Sequence, residues 1–175
     1  MGLDIIAVID NSLSMGLTNL AQFQALLATI VNPLTLCSSS KNCLRIGLVT
    51  FTSTATMVAD LNAFNDTIMF DETLFSISIA NNNEVNILSG LQMANTIFMN
   101  NVVSNTSRSV MLFTSAYNDT QSERLVSLAL EMREDDIKIL TVAVVGNMGS
   151  DEIKKVGELA WPGFDFVNDD IGHFS

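Results

Sequence analysis

The sequence predicts a doubly wound α/β fold: a mostly parallel six-stranded sheet with one antiparallel edge strand and helices on both faces. Three observations carry this reading. Apolar, β-branched runs alternate along the chain with segments of helical periodicity, the rhythm of strand–helix–strand units. Two of the apolar runs are separated by only four residues, which permits a hairpin and forbids a parallel crossover. The 175 residues, 48% hydrophobic and 15% charged, can fill one core and are short for two, so 1–175 is expected to form a single domain.

Each element has its own justification. Residues 5–9 form an unbroken apolar run, the pattern of a strand covered on both faces, and it ends at Asp10. A helix is expected over about 19–31, with Leu20, Phe23, Leu27, Ile30 and Val31 on one side and Pro33 as its stop. Residues 44–51 and 56–60 read as strands joined by Thr52-Ser53-Thr54-Ala55. A mixed helical region over 64–79 leads into the polar loop Asn81-Asn82-Asn83-Glu84. A helix over 85–99 follows, carrying Leu88, Leu91, Ile97 and Phe98; Met93 and Met99 at helical spacing read as core filler. The second half repeats the rhythm with a strand over 109–114, a helix over 121–133 displaying Leu125, Leu128 and Met132, and a strand over 137–145. The turn Gly146-Asn147-Met148-Gly149 lacks the Lys and Ser/Thr of a phosphate-binding loop and reads as a plain turn. It opens a short helix over 151–159 with Ser150 as the expected N-cap, and 164–167 reads as a short edge strand.

Charge narrows the function. The net charge is −11, with seven acids and two bases in 1–100 and twelve acids and six bases in 101–175. Phosphate binding needs clustered Lys and Arg, so nucleic acid is excluded as a partner, and an anionic membrane surface is disfavoured. No apolar run approaches the roughly 18 residues of a bilayer span, so membrane insertion is not expected. Met1-Gly2 runs directly into the first strand without a basic, cleavable leader, so a secreted parent would contain this chain as an excised, monomeric part.

Cys37 and Cys43 enclose a polar loop, Ser38-Ser39-Ser40-Lys41-Asn42. A local disulfide is the favoured reading and two free thiols the other. A zinc site would need more ligands, and His173 is the one histidine. Three Asn-x-Ser/Thr sequons occur, at Asn65, Asn105 and Asn118, about the number that chance supplies in a chain this rich in Asn, Ser and Thr.

The chemistry concentrates at the end of the first strand. Open α/β sheets bind ligands beyond the carboxyl ends of their strands, and there a short extended or looped segment can turn the oxygens of Asp10, Ser12 and Ser14 toward one point. Hard cations such as Mg²⁺ take oxygen ligands and use only one or two carboxylates. Asp10 could equally cap the following loop or helix. An aspartyl phosphatase would place a second carboxylate at position 12 as general acid, where Ser12 stands; a receiver domain would place a Lys after the late strand, where Val145-Gly146 stands. His173, in a polar tail, completes no Ser-His-Asp set. No enzyme activity is expected.

With Asp10-Asn11-Ser12-Leu13-Ser14-Met15, the strand Arg45-Ile46-Gly47-Leu48-Val49-Thr50-Phe51 and the strand Val110-Met111-Leu112-Phe113-Thr114, nearly the whole chain resembles the von Willebrand factor A domain and the integrin I domain, a Rossmann-like fold. The resemblance implies a metal-ion-dependent adhesion site built from Asp, Ser and Ser of the first loop, a Thr of a second and an Asp of a third. Its coordination is often completed by an acidic residue of a protein ligand. Here Asp10, Ser12 and Ser14 match, Val85 falls on the Thr position, and Thr114-Ser115-Ala116 replaces Thr-Asp-Gly, so Ser115 stands for the aspartate. One lost carboxylate beside a dication is worth kcal/mol even at an effective dielectric of about 20. Weak or absent binding of Mg²⁺, with Mn²⁺ or Ca²⁺ as substitutes, is therefore expected unless Asp119 or Glu84 takes over.

The implied function is a non-catalytic adhesion or recognition module that holds a protein or glycoprotein ligand through the loops at the carboxyl edge of the sheet. The alternative is a metal-independent interaction domain with a vestigial site. The Asp10-Asn11-Ser12 variant and the Asn-rich second loop further resemble A domains found beside C-type lectin domains in secreted nematode proteins. That resemblance implies an extracellular location and favours the Cys37–Cys43 disulfide. Tyr117 and Met15 are expected near the candidate face, and the last residues, Gly172 to Ser175, before or within the final helix that integrin-type relatives carry.

Overall fold

Strand β1 (Gly2–Asp10) is buried along nearly its whole length, as a continuous apolar run must be when both faces and both edges are covered. The computed structural model describes residues 2–38, 43–103 and 105–168. Helix α1 (Gly16–Val31) follows β1, then strands β2 (Leu44–Phe51) and β3 (Ala55–Ala59), and helices α2 (Thr67–Ser76) and α3 (Ile87–Asn100). The second half runs through β4 (Thr106–Thr114), α4 (Ser122–Glu134), β5 (Ile137–Ala143), α5 (Ser150–Glu158) and β6 (Asp165–Val167). The sheet order is β3-β2-β1-β4-β5-β6, parallel throughout except for the antiparallel β2–β3 pair at one edge. This is the doubly wound architecture expected.

Alternation along the strands sends side chains to two cores. Ile5, Ala7 and Ile9 face α1 and α2, meeting Leu20, Phe23, Leu27, Phe70 and Leu74. Ile6 and Val8 face the other way, toward α3, α4 and α5, with Leu91, Phe98, Leu125, Met132 and Val156. Helix α3 lies so close to the sheet that a Cβ on Gly90 would stand 2.7 Å from Val8 Cγ1 and 3.1 Å from the Phe51 ring. From β1 the chain winds outward to β2 across one face, and from β4 to β5 and β6 across the other. The order therefore reverses between β1 and β4, and a crevice opens between their carboxyl ends.

Several boundaries differ from the sequence reading for local reasons. Helix α1 starts at Gly16, whose φ of +71° is a left-handed conformation that glycine adopts without steric cost. Strand β4 begins three residues earlier than expected, because Thr106, Ser107 and Arg108 pair with Gly2, Leu3 and Asp4 although they are polar. Strand β5 stops at Ala143, where Val145 to Asn147 make a 3-10 turn. Ser150 is not the N-cap of α5: Gly149 is, and its N–H donates to Glu152 Oε2 at 2.8 Å. Met99 is 63% exposed rather than core filler, while Met93 packs against the core.

Cys37 and Cys43 are joined as a disulfide, with Cα atoms 6.1 Å apart. At the amino-terminal end of the sheet, register neighbours Asp4 and Arg45 form a buried two-point ion pair, Nε to Oδ1 at 2.8 Å and Nη2 to Oδ2 at 2.6 Å. Arg45 also donates to the Asn101 carbonyl at 2.9 Å, tying the end of α3 to the base of the sheet. No helix among the described residues is long and apolar enough to cross a membrane. His173 and the expected final helix lie outside the described residues.

Candidate functional site

Asp10 is the last residue of β1 and is fully buried at the mouth of the crevice between β1 and β4. A carboxylate in that position must be satisfied by donors, and the two loops supply them. The Ser12 N–H donates to Oδ1 at 2.9 Å, and the Ser115 N–H donates to Oδ2 at 2.8 Å. The Ser115 hydroxyl donates to the same Oδ2 at 2.5 Å.

The other two serines complete a chain. Ser115 Oγ lies 2.8 Å from Ser14 Oγ, which lies 2.8 Å from Ser12 Oγ. A carboxylate only accepts and each hydroxyl carries one proton, so the direction of every bond follows. Ser115 gives its proton to Asp10, Ser14 gives its proton to Ser115, and Ser12 gives its proton to Ser14. The cluster is thus polarised toward Asp10, and the oxygen of Ser12, at the far end of the chain, gives its proton to Ser14 and takes none from the other serines. Ser12 and Ser115 are fully buried while Ser14 is partly exposed, so solvent meets the cluster at Ser14.

The first loop is braced from both sides. The Leu13 N–H donates to the Asn82 carbonyl and the Asn11 carbonyl accepts from the Ala80 N–H, both at 2.8 Å. On the opposite side the Asn147 amide donates to the Ser14 carbonyl. Asn147 and Asn82 were not singled out from the sequence, because an Asn in a turn signals a turn rather than a strut.

The remaining predicted residues do not join the cluster. Val85 packs into the core beside Tyr117 and Leu88, 6% exposed, so the second loop brings a hydrocarbon where the resemblance implies a threonine oxygen. Tyr117 and Met15 are likewise buried rather than displayed. Glu84 is exposed, and it lines with Asp119 a neighbouring cavity of about 390 Å³. The Asp119 carboxylate holds Lys155 Nζ at 2.6 Å. That hydrogen bond, with the nearby acids, raises the Lys155 pKa above the usual 10.5.

The donor set suits a hard cation in kind but not in charge. Three serine oxygens and one carboxylate are oxygen donors of the type Mg²⁺ or Mn²⁺ uses. Among the described residues no three His, Cys, Asp or Glu side chains gather at one point, so a cation here would rest on Asp10 and neutral hydroxyls. Hydroxyl oxygens of Ser12, Ser14 and Ser115 could hold it, with Asp10 supplying the negative charge.

Comparison with known proteins places the fold. The von Willebrand factor type A domain model matches residues 4–172. C-type lectin domain-containing protein 160 of Caenorhabditis elegans is 30% identical over 173 residues, covering 95% of this chain and 27% of that protein. The chain therefore spans about a quarter of that relative's length. Among solved structures, proximal thread matrix protein 1 of the mussel byssus superposes with a TM-score of 0.84 at 18% identity, over 99% of this chain and 44% of the other. A form of it described as having a zinc-occupied MIDAS motif gives 0.79 at 17% identity, over 94% and 41% of the two chains. BatB of Bacteroides thetaiotaomicron gives 0.70 at 16% identity, over 98% and 95%. At these identities the structural likenesses speak to fold alone.

Proposed function

The chain belongs to the von Willebrand factor type A family, whose members are generally non-enzymatic interaction modules, and on that premise we propose that it is an adhesion or recognition domain with a reduced metal site. Residues 1–175 act as one such domain within a larger secreted protein. The disulfide and the C-type lectin relative support an extracellular location. The domain holds a protein or glycoprotein ligand at the carboxyl edge of the sheet, around Asp10, Ser12, Ser14 and Ser115.

The observation that carries this reading is the Ser115 hydroxyl on Asp10 Oδ2. A hydroxyl fills the place of the third-loop acid and satisfies the carboxylate internally, so the cluster is stable without a cation. A dication entering it must redirect the serine lone pairs and gains only one negative charge. Binding of Mg²⁺ or Mn²⁺ is therefore weak, and a bound cation stays electrophilic toward a carboxylate from the partner. The polar surface of the loops supplies the rest of the contact with or without metal. Enzyme activity is not part of this reading, since Asp10 is buried under three donors and no second acid stands beside it.

The test is adhesion of chain-coated beads to an extracellular-matrix preparation, with Mn²⁺ or with chelator, compared with a Ser12→Ala/Ser14→Ala double variant of unchanged circular dichroism. Loss of adhesion in the variant supports the site. Equal adhesion places the binding surface elsewhere.

A further inference from the structure

We propose that Asn118 is an N-glycosylation site whose glycan stands on the rim of the candidate face and restricts the side from which a partner reaches it. The proposal rests on the extracellular reading above, and it deepens that reading by assigning a modification to one sequon out of three.

The three sequons differ in where the fold puts them. Asn65 lies just before α2, in the region where Arg45 at the base of the sheet reaches Asn62, and Asn105 immediately precedes the amino-terminal end of β4. Both belong to the edge of the sheet opposite the Asp10 cluster. Asn118 follows the carboxyl end of β4, three residues beyond Ser115, on the loop that completes the cluster. It is exposed, and with Glu84, Asn86, Tyr117 and Asp119 it lines the 390 Å³ cavity beside that cluster.

Local geometry presents the reacting atom. Asn118 Oδ1 accepts from the Thr120 N–H at 3.0 Å and from the Thr120 hydroxyl at 2.7 Å. This turn joins the asparagine to the hydroxyl residue of its own sequon and uses the carbonyl oxygen alone. The amide nitrogen is the atom that attaches to sugar, and an exposed loop is where such a group is tolerated. In the transfer, Asn118 Nδ2 loses one proton and bonds to the anomeric carbon of a lipid-pyrophosphate-linked oligosaccharide. The bond from that carbon to the phosphate oxygen breaks, and the lipid pyrophosphate leaves. A glycan at this point overhangs the cavity wall carrying Glu84, and leaves open the approach over Leu13 and Leu17, which are 50% and 75% exposed.

The experiment is secretion of the full chain from eukaryotic cells behind an added leader, followed by peptide mapping after amidase release of glycans in heavy-oxygen water. The expected result is heavy-labelled aspartate at position 118, lost in Asn118→Gln and in Thr120→Ala. Carbodiimide coupling of a bulky amine to Glu84 is expected to rise several-fold in Asn118→Gln relative to the glycosylated protein. An unmodified Asn118 in protein glycosylated at Asn65 or Asn105, or in protein carrying no glycan, overturns the assignment. Equal coupling at Glu84 overturns its role on the rim. Both readouts are independent of metal or matrix binding, so their failure is separable from failure of the adhesion reading.

Discussion

Ser115 gives Asp10 both of its donors, backbone N–H at 2.8 Å and hydroxyl at 2.5 Å, on a single carboxylate oxygen across the crevice between β1 and β4. That relationship, with the Ser12 N–H, satisfies the buried carboxylate of Asp10 through hydrogen-bond donors alone. It also sets the first prediction. Ser115→Ala keeps the N–H but removes the charge-assisted hydroxyl bond and strands Ser14 without its acceptor, so unfolding in denaturant should show a loss of about 1–3 kcal/mol.

Gly90 bears on the same face through packing. A Cβ there meets Val8 Cγ1 at 2.7 Å and the Phe51 ring at 3.1 Å, and α3 has no slack to retreat because Asn86 caps it and also donates to the Ser53 carbonyl. Gly90→Ala should therefore destabilise by about 1–3 kcal/mol through overpacking, in spite of a gain of up to about 1 kcal/mol in helix propensity. A variant as stable as the parent would mean that α3 sits less tightly than described.

The Asp4–Arg45 pair lies at the other end of the sheet, 2% and 3% exposed. Arg45→Met leaves a buried carboxylate alone and should cost about 3–5 kcal/mol, most of it recovered by the double change Asp4→Leu/Arg45→Met. Chemical denaturation of the three proteins measures this directly, and absence of recovery would show that the pair does more than neutralise itself.

Lys155 predicts a pH effect with a definite sign. Its pKa is raised above 10.5, chiefly by the hydrogen bond to Asp119, so the protonated form is favoured by folding. Any stability from this pair is fully present below about the unfolded lysine value near 10.4 and is lost as pH rises through the raised folded value. A side-chain NMR titration should place the Lys155 midpoint above the ordinary lysine value, and Asp119→Asn should bring it down.

The fold was legible because its strands are continuous apolar runs and its one hairpin link is only four residues long. Element ends were less so where polar residues extend a strand, as Thr106 to Arg108 do, or where a turn consumes apolar ones, as at Val145. Spacing and resemblance lead to the expectation that Asp10, Ser12, Ser14 and Ser115 come together, and hydrogen bonds join them. What spacing cannot show is hydrogen-bond direction: Ser115 satisfying Asp10 needs two loops 105 residues apart to be placed together. The Asp4–Arg45 pair was visible only as two charges in apolar strands, and their pairing depends on the β1–β2 register.

Whether Ser115 stands where a metal-binding acid would be is tested most directly by calorimetric titration with Mn²⁺ of the parent chain and of Ser115→Asp. The parent should show only weak, unsaturated binding at submillimolar Mn²⁺. Ser115→Asp sets two carboxylates side by side, so its metal-free form should melt lower than the parent. Its Mn²⁺ affinity should rise by a factor of about ten or more, since one added charge beside a dication is worth at least about 1.4 kcal/mol. Equal or weaker binding by Ser115→Asp, or tight binding by the parent, would contradict the assignment of Asp10, Ser12, Ser14 and Ser115 as a reduced metal site.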